Sequence, residues 1–403
     1  MCQGWMAEWP PTQYLLWDRH AMARPGQACV TSRGDIQVTQ GFNRTHYVPI
    51  LKFMQGERDA LAQLEATQRQ RVTPLFEIRP LKPKREKDRR KTLRMETLEE
   101  LLARTGPYLA KSIPNGRAFI DGLHLAPAQT MASGEHPLAY VLGKARESGV
   151  ALVPVTGPER DSEYQVAVRS AVAEDQRGVC VRVRKKELFG DDLDEALSST
   201  LRKAGTTREA SDLVLDLGPI APDDVGVLSK SLPGVIGAID GLMAFRTLTV
   251  AAGAFPRSIS DIKLPTKAQR ADWLLWRILS GKAKSLVRVP TYGDYAIQGA
   301  QPPSPDAALH SGSPNIRYTA DDHWLVVRGG ALKRLGYEQY AALAQYLVEQ
   351  ECYAGRTFSQ GDDYIFGCAG GAETPGNPAV WRKVGTNHHI AKVLKQLTSL
   401  HAP

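Results

Sequence analysis

Five cysteines, Cys2, Cys29, Cys180, Cys352 and Cys368, are scattered over 403 residues, and no two stand in CxxC spacing. A disulfide scaffold and a Cys-based structural zinc site are therefore not expected, and the compartment that fits is a reducing cytoplasm. Long apolar runs are missing as well. No window approaches the roughly 18 consecutive apolar residues of a membrane span, so no membrane association is expected. The first residues carry Trp5, Trp9 and Trp17, but Glu8, Pro10, Pro11 and Asp18 interrupt any signal-peptide apolar region. Three chemical devices are also lacking. No apolar strand runs into GxGxxG, no GxxxxGK[ST] occurs, and no GxSxG elbow occurs, which argues against a Rossmann site, a P-loop and a serine-hydrolase triad.

What is present is an ordinary globular balance, 42% hydrophobic and 23% charged, with a net charge of +8 and a pI near 9.2. The basic excess favours anionic partners such as nucleic acid or a nucleotide. Much of it lies in the run from Lys82 to Lys91, which reads either as a solvated basic loop or as a contact to a phosphate backbone.

From Tyr47 onward, short apolar runs rich in β-branched residues alternate with segments of helical period, the pattern of a βα-repeating parallel architecture. Strands are expected at 47–52, 72–78, 118–121, 150–155, 179–183, 212–217, 245–250 and 285–290, with helices between them, the last of these over 267–280. Eight such repeats in roughly 250 residues point to a (β/α)8 TIM-like barrel, with an open doubly wound sheet as the alternative. The expected organisation is an N-terminal extension over 1–45, disordered or loosely docked, a barrel over 46–300, and a C-terminal α+β elaboration over 301–403. In the last part a strand is expected at 324–327, a helix at 337–349, and a final helix whose apolar face is Ile390, Val393, Leu394 and Leu397.

Barrel proteins carry their chemistry at the C-terminal ends of the strands, which singles out Lys52, Glu77, Asp121, Arg182, Arg184, Asp216 and Asp294. Glu77, Asp121 and Asp216 form a candidate oxygen-ligand set for a divalent cation, magnesium or manganese among them, although strand-end carboxylates also cap helices or pair with arginine. Tyr292, Asp294, Tyr295 and Gln298 cluster around Gly293 and are candidates to stack a base or sugar and hold its hydroxyls.

The segment Trp381-Arg382-Lys383-Val384-Gly385-Thr386-Asn387-His388-His389-Ile390 concentrates proton-transfer and phosphate-contact groups. Adjacent helical positions diverge by about 100°, so His388 and His389 do not chelate one ion as an i, i+4 pair does. Asn387 is the expected N-cap of the final helix, with one imidazole turned toward the barrel mouth for acid-base work or anion binding. The acidic pairs Asp321-Asp322 and Asp362-Asp363 read as solvated loops.

Tyr47-Val48-Pro49-Ile50-Leu51-Lys52, Gly56-Glu57 and Pro74-Leu75-Phe76-Glu77-Ile78 resemble the opening of the phage and prophage beta protein family. The likeness continues at Gly293 through Gln298 and at Trp381 through His389, covering nearly all of 47–400. Where that family follows Asp-Tyr-x-Ile-Gln with His-Pro, this chain has Gly299-Ala300. The resemblance implies a mobile-element setting and a phage or defence-island protein as a partner, but no activity.

Together these features lead to the expectation of a phosphate-bearing ligand at the barrel mouth, with phosphodiester hydrolysis in phage defence or counter-defence as one form. In that form His388, His389, Asp294 and Glu77 are the catalytic candidates, and Lys52, Arg182, Arg184, Tyr292, Tyr295, Gln298, Arg382 and Asn387 the ligand contacts. The alternative is a non-catalytic sensor or adaptor for nucleic acid or a phage protein.

Overall fold

Alternation along each strand closes the central wall of this fold. The computed structural model describes residues 42–79, 97–127, 129–257, 259, 265–301 and 312–400. The 1–45 extension, apart from its last four residues, and the 82–91 basic run lie outside that set. The wall consists of β1 (Tyr47–Lys52), β2 (Leu75–Glu77), β3 (Arg117–Asp121), β4 (Ala151–Thr156), β5 (Val179–Arg184), β6 (Ser211–Pro219), β7 (Thr247–Gly253) and β9 (Thr291–Asp294), paired in that order as a closed barrel. β8 (Thr266–Gln269) stands outside it. Every neighbouring pair is parallel, and closure comes from β9, which pairs with β7 on one side and β1 on the other.

Inward positions Val48, Ile50, Leu75, Phe119, Val153, Val155, Cys180, Val214 and Ala251 form one buried cluster that fills the barrel. The alternate positions Leu51, Phe76, Ile120, Leu152, Val181, Leu215 and Val250 point outward into a second, larger core beneath the helices. Burial on both faces is why these strands read as continuous apolar runs. The covering helices are α1 (Gln55–Ala62), α2 (Leu98–Ala103), α3 (Thr105–Ser112), α4 (Pro137–Glu147), α5 (Ser162–Asp175), α6 (Leu193–Ala204), α7 (Asp224–Ala238) and α8 (Ala271–Gly281). Local signals set their starts: Thr97 and Glu100 form a reciprocal capping box at α2, and Asp161 caps α5 by accepting from Tyr164 N.

The C-terminal part has its own antiparallel sheet, β10 (Asn315–Thr319), β11 (His323–Arg328) and β8, in that order. With α9 (Gln339–Val348), α10 (Gln360–Ala369) and α11 (Pro378–Leu400) it encloses a core that includes Ile316, Tyr318, Leu325, Tyr340, Leu347, Ile365 and Trp381. α11 serves both bodies. Trp381 and Val384 belong to the C-terminal core, while Ile390, Val393, Leu394 and Leu397 belong to the barrel's outer core. The expected apolar face of the final helix is therefore buried as read.

Three local expectations are corrected. The eighth barrel strand is 291–294, not 285–290, so Asp294 ends a strand instead of following one. Residues 267–269 are strand, because Thr266 through Gln269 pair with β11, and the helix starts only at Ala271. The sheet of the elaboration thus takes one strand from within the 46–300 span. Asn387 is not an N-cap, since α11 begins at Pro378 and runs through it.

Candidate functional site

At the C-terminal end of the barrel interior, the strand-end carboxylates Glu77, Asp121 and Asp216 do converge, and the cation between them is Arg182. Its Nη1 donates to Glu77 Oε1 at 3.0 Å and Asp121 Oδ2 at 2.7 Å, and its Nε and Nη2 donate to Asp216 Oδ2 at 3.0 and 2.8 Å. Nη2 also reaches the Tyr295 hydroxyl at 2.8 Å, which itself donates to Asp216. The remaining oxygens are occupied too: Asp121 Oδ1 accepts from Arg160 Nη2 and Leu123 N, Asp216 Oδ1 from Gly218 N, and Glu77 Oε2 faces His124 Nε2 at 3.5 Å.

Burial alone would raise the Glu77 carboxyl, but Arg182 and His124 override it and hold it at about 2. The four residues Glu77, Asp121, Arg182 and Asp216 are at most 2% exposed. All six carboxylate oxygens have protein partners, so the expected metal set of Glu77, Asp121 and Asp216 is corrected to an ionic plug. Among the described residues, no group of three or more His, Cys, Asp or Glu side chains is arranged to hold a metal ion. Arg182 and Tyr295, expected to touch ligand, spend their polar atoms inside the same plug, whereas Arg184 stands exposed at the end of β5.

Asp294 belongs to a different layer. With Tyr47 and Tyr292 it faces outward, between the barrel wall and α11, where both phenols donate to its carboxylate. His389 Nε2 lies 2.9 Å from Asp294 Oδ2, and its Nδ1 lies 2.8 Å from Thr319 Oγ1. Burial lowers the His389 ring, and in its neutral form Nε2 can donate to Asp294 while Nδ1 accepts the threonine proton. His388 turns to the C-terminal body. Its Nδ1 is 2.8 Å from Asp362 Oδ2 and its Nε2 is 2.8 Å from the Thr319 carbonyl. Both partners are oxygens that can accept, so the geometry is satisfied when each ring nitrogen carries a hydrogen.

Only one imidazole turns to the barrel, as expected, but it meets the outer wall and not the mouth. Both rings are fully buried. His388, His389 and Asp294, expected to be catalytic, are thus separated from Glu77 and join β9, β10 and α11. Asn387 works alongside them: its Oδ1 accepts from Gly361 N at 2.9 Å and its Nδ2 donates to the Ala60 carbonyl at 3.2 Å. Asp362, read as solvated, is buried and also accepts from Ser359 and Tyr318, while Asp363 remains exposed.

The third assembly is open to solvent. Lys52 at the end of β1, Arg317 on β10 and Arg382 on α11 are all partly exposed; the two guanidiniums lie near Glu57 on α1, while Lys52 stands in register with Glu77 and feels both carboxylates. Arg382 Nε is 3.6 Å from Glu57 Oε1, and Gln298 Nε2 is 3.4 Å from it. Arg317 donates to the Ile297 carbonyl and to Asn315 Oδ1.

Close backbone approach assembles this group. A Cβ on Gly56 would stand 2.8 Å from Arg382 Cβ and 2.9 Å from the Ala379 carbonyl, and one on Gly385 would meet the Arg317 carbonyl at 2.9 Å. Glycine at these positions lets α1 and β10 lie directly on α11.

Burial lowers Lys52 against the opposing pull of Glu77 and Glu57, and burial followed by Arg382 brings Arg317 down to about 10. Glu57 is raised by burial despite its cationic neighbours, and its Oε2 has no hydrogen-bond partner. The terminal nitrogens of Arg382 and the Lys52 ammonium make no hydrogen bonds among the described residues. Of the expected ligand contacts, Lys52, Gln298 and Arg382 meet here. Arg317 and Glu57 were not singled out, and the only signal was Glu57's place in the Gly-Glu pair of the family resemblance.

A family model described as "Beta protein" matches residues 47–395, and the chain belongs to that family. No curated protein matches it. Among solved structures, a triosephosphate isomerase from Bartonella henselae is 14% identical, with 64% of this chain and 94% of that one covered at a TM-score of 0.33. A 7,8-dihydropteroate synthase from Vibrio fischeri is also 14% identical, with 64% and 89% covered at 0.35. The carboxyl transferase domain of Rhizobium etli pyruvate carboxylase is 13% identical, with 87% of this chain and 49% of that one covered at 0.33. The barrel assignment rests on the strand pairing described above. Among the described residues no helix is long and apolar enough to cross a membrane.

Proposed function

We propose that this member of the Beta protein family binds a phosphate-bearing ligand, a nucleotide or nucleic acid, in the cleft lined by Arg317 and Arg382, and binds it without cleaving it. The observation that carries this reading is two partly exposed guanidiniums, Arg317 and Arg382, lining one cleft, with Arg382 reaching Glu57 only through its Nε and its terminal nitrogens left over. Guanidinium groups match phosphate oxygens in charge and fork geometry, and their donors are worth most where water is partly excluded. Binding without hydrolysis follows from the fate of the acid-base candidates: Glu77 is committed to Arg182, and His388, His389 and Asp294 have internal partners for every polar atom. The phage and prophage setting implied by the resemblance fits a sensor or adaptor for such a ligand.

The test is fluorescence anisotropy with a labelled short oligonucleotide. Binding should weaken as salt rises, and Arg317→Ala and Arg382→Ala should each raise Kd about tenfold, the cost of losing a charged hydrogen bond. Salt-independent binding, or binding unchanged in both variants, overturns the proposal. Product formation by the wild-type protein would restore the hydrolase reading.

A further inference from the structure

Glu57 stands beside the cleft and holds Arg382 by charge alone. Its Oε1 is 3.6 Å from Arg382 Nε, too long for a hydrogen bond, and 3.4 Å from Gln298 Nε2. Its Oε2 has no partner, although the residue is 0% exposed, whereas buried polar groups ordinarily have one. Gly56 sets this position by letting α1 lie directly on α11 at Arg382. The charged groups acting on Glu57 are Arg382 from α11, Lys52 from β1 and Arg317 from β10, in that order. Arg58, its neighbour on α1, lies over the Tyr108 ring of α3 at 3.7 Å. Burial nevertheless raises the Glu57 carboxyl above its ordinary 4.5. Arg317 and Arg382 set against an ionised Glu57 leave one net positive charge, and protonating Glu57 leaves two.

We propose that Glu57 is a built-in competitor for the ligand: its carboxylate holds the place of a phosphate beside Arg382, sets the affinity of the cleft, and makes binding tighten as pH falls. This rests on the phosphate-binding reading above. While Glu57 is ionised, it cancels part of the charge that a phosphate meets and keeps Arg382 Nε engaged. Taking up a proton ends both effects and frees the whole guanidinium for phosphate oxygens. The coupling is reciprocal: a bound phosphate raises the same carboxyl further, so binding takes up a proton. The gain builds as pH falls through the raised carboxyl value and is absent well above it.

The experiment follows the anisotropy of a labelled oligothymidylate with a 5′-hydroxyl on the full-length protein, from about pH 8 to about pH 5 at about 50 mM salt. Each phosphate of this probe keeps a single negative charge across that range, so a change in Kd reports the protein. Wild-type binding is expected to tighten at least about tenfold toward the acidic end. Glu57→Gln should bind about tenfold more tightly than wild type at neutral pH, with most of the pH dependence gone. Histidines elsewhere titrate in both proteins alike, so the difference between the two curves belongs to Glu57. Wild-type binding that does not tighten, or parallel curves for wild type and Glu57→Gln, overturns the competitor role and leaves phosphate binding standing. Failure of the wild-type protein to bind at any of these pH values overturns both. The wild-type curve needs no variant, so misfolding of Glu57→Gln does not blunt the test.

Discussion

Arg182 Nη1 stands 2.7 Å from Asp121 Oδ2 in the closed interior of the barrel, a cation held where the strand-end carboxylates would otherwise face one another. Arg160, from the β4–α5 loop, holds the other oxygen, Oδ1, at 2.8 Å.

Removing that guanidinium should be severe. Arg182→Met leaves Glu77, Asp121 and Asp216 buried without their shared partner, and breaking a buried pair from one side costs about 3–5 kcal/mol. Urea unfolding followed by far-UV circular dichroism measures it. A loss below about 1 kcal/mol would show that the plug is not what stabilises the mouth.

The same plug gives the protein an acid-sensitive limb. The folded Glu77 carboxyl is held at about 2, against an ordinary 4.5. A depressed folded value means that its contribution is fully present above the unfolded value and is lost as pH falls from there toward the folded one. Stability should therefore drop between about pH 4.5 and 2, and Glu77→Gln should flatten that drop while lowering stability at neutral pH. Thermal melts across that range decide it, and identical slopes in wild type and variant would refute the assignment.

The two histidines should differ spectroscopically. At neutral pH, nitrogen-detected NMR is expected to show His388 with both ring nitrogens protonated and His389 as the neutral form with hydrogen on Nε2. Thr319→Val removes only the hydroxyl that faces His389 Nδ1, since His388 uses the Thr319 backbone carbonyl. The expected cost is about 1–3 kcal/mol for an unpaired buried acceptor, with the His388 signals unmoved. Coincident shifts of both rings would contradict this division.

Gly56→Ala tests how the cationic cleft is assembled. The added methyl would press on Arg382 and the Ala379 carbonyl, at 2.8 and 2.9 Å. Overpacking of this kind costs about 1–3 kcal/mol. Displacement of α11 should also weaken oligonucleotide binding, so stability and Kd are expected to shift together. A stable variant with unchanged Kd would show that the cleft tolerates helix movement.

Most of the barrel was legible before the structure because its strands are buried on both faces and read as apolar runs, β1 with its observed limits. The errors have local causes. Thr291-Tyr292-Gly293-Asp294 reads as a turn because it contains glycine and aspartate, yet Gly293 is needed where a Cβ would crowd Thr249 and Ala251, and Asp294 is satisfied by partners brought from elsewhere. Thr266 through Gln269 lacks an apolar run because it is a strand at the edge of its sheet, with no buried residue in it. Asn387 has the chemistry of an N-cap, but its side chain is consumed by Gly361 N and the Ala60 carbonyl, so the helix passes through it.

By itself the sequence determined the periodicities, and with them the parallel barrel, its strand-end carboxylates and the apolar face of the last helix, because period and burial are local properties of a chain. Only the tertiary structure decided what each charge faces. That Glu77, Asp121 and Asp216 meet a guanidinium instead of a metal, that His388 and His389 take opposite partners, and that Arg317 and Arg382 line one cleft beside Glu57 are outcomes of distant segments packing together. Electrostatics depends on distance in space, and spacing along the chain does not contain it.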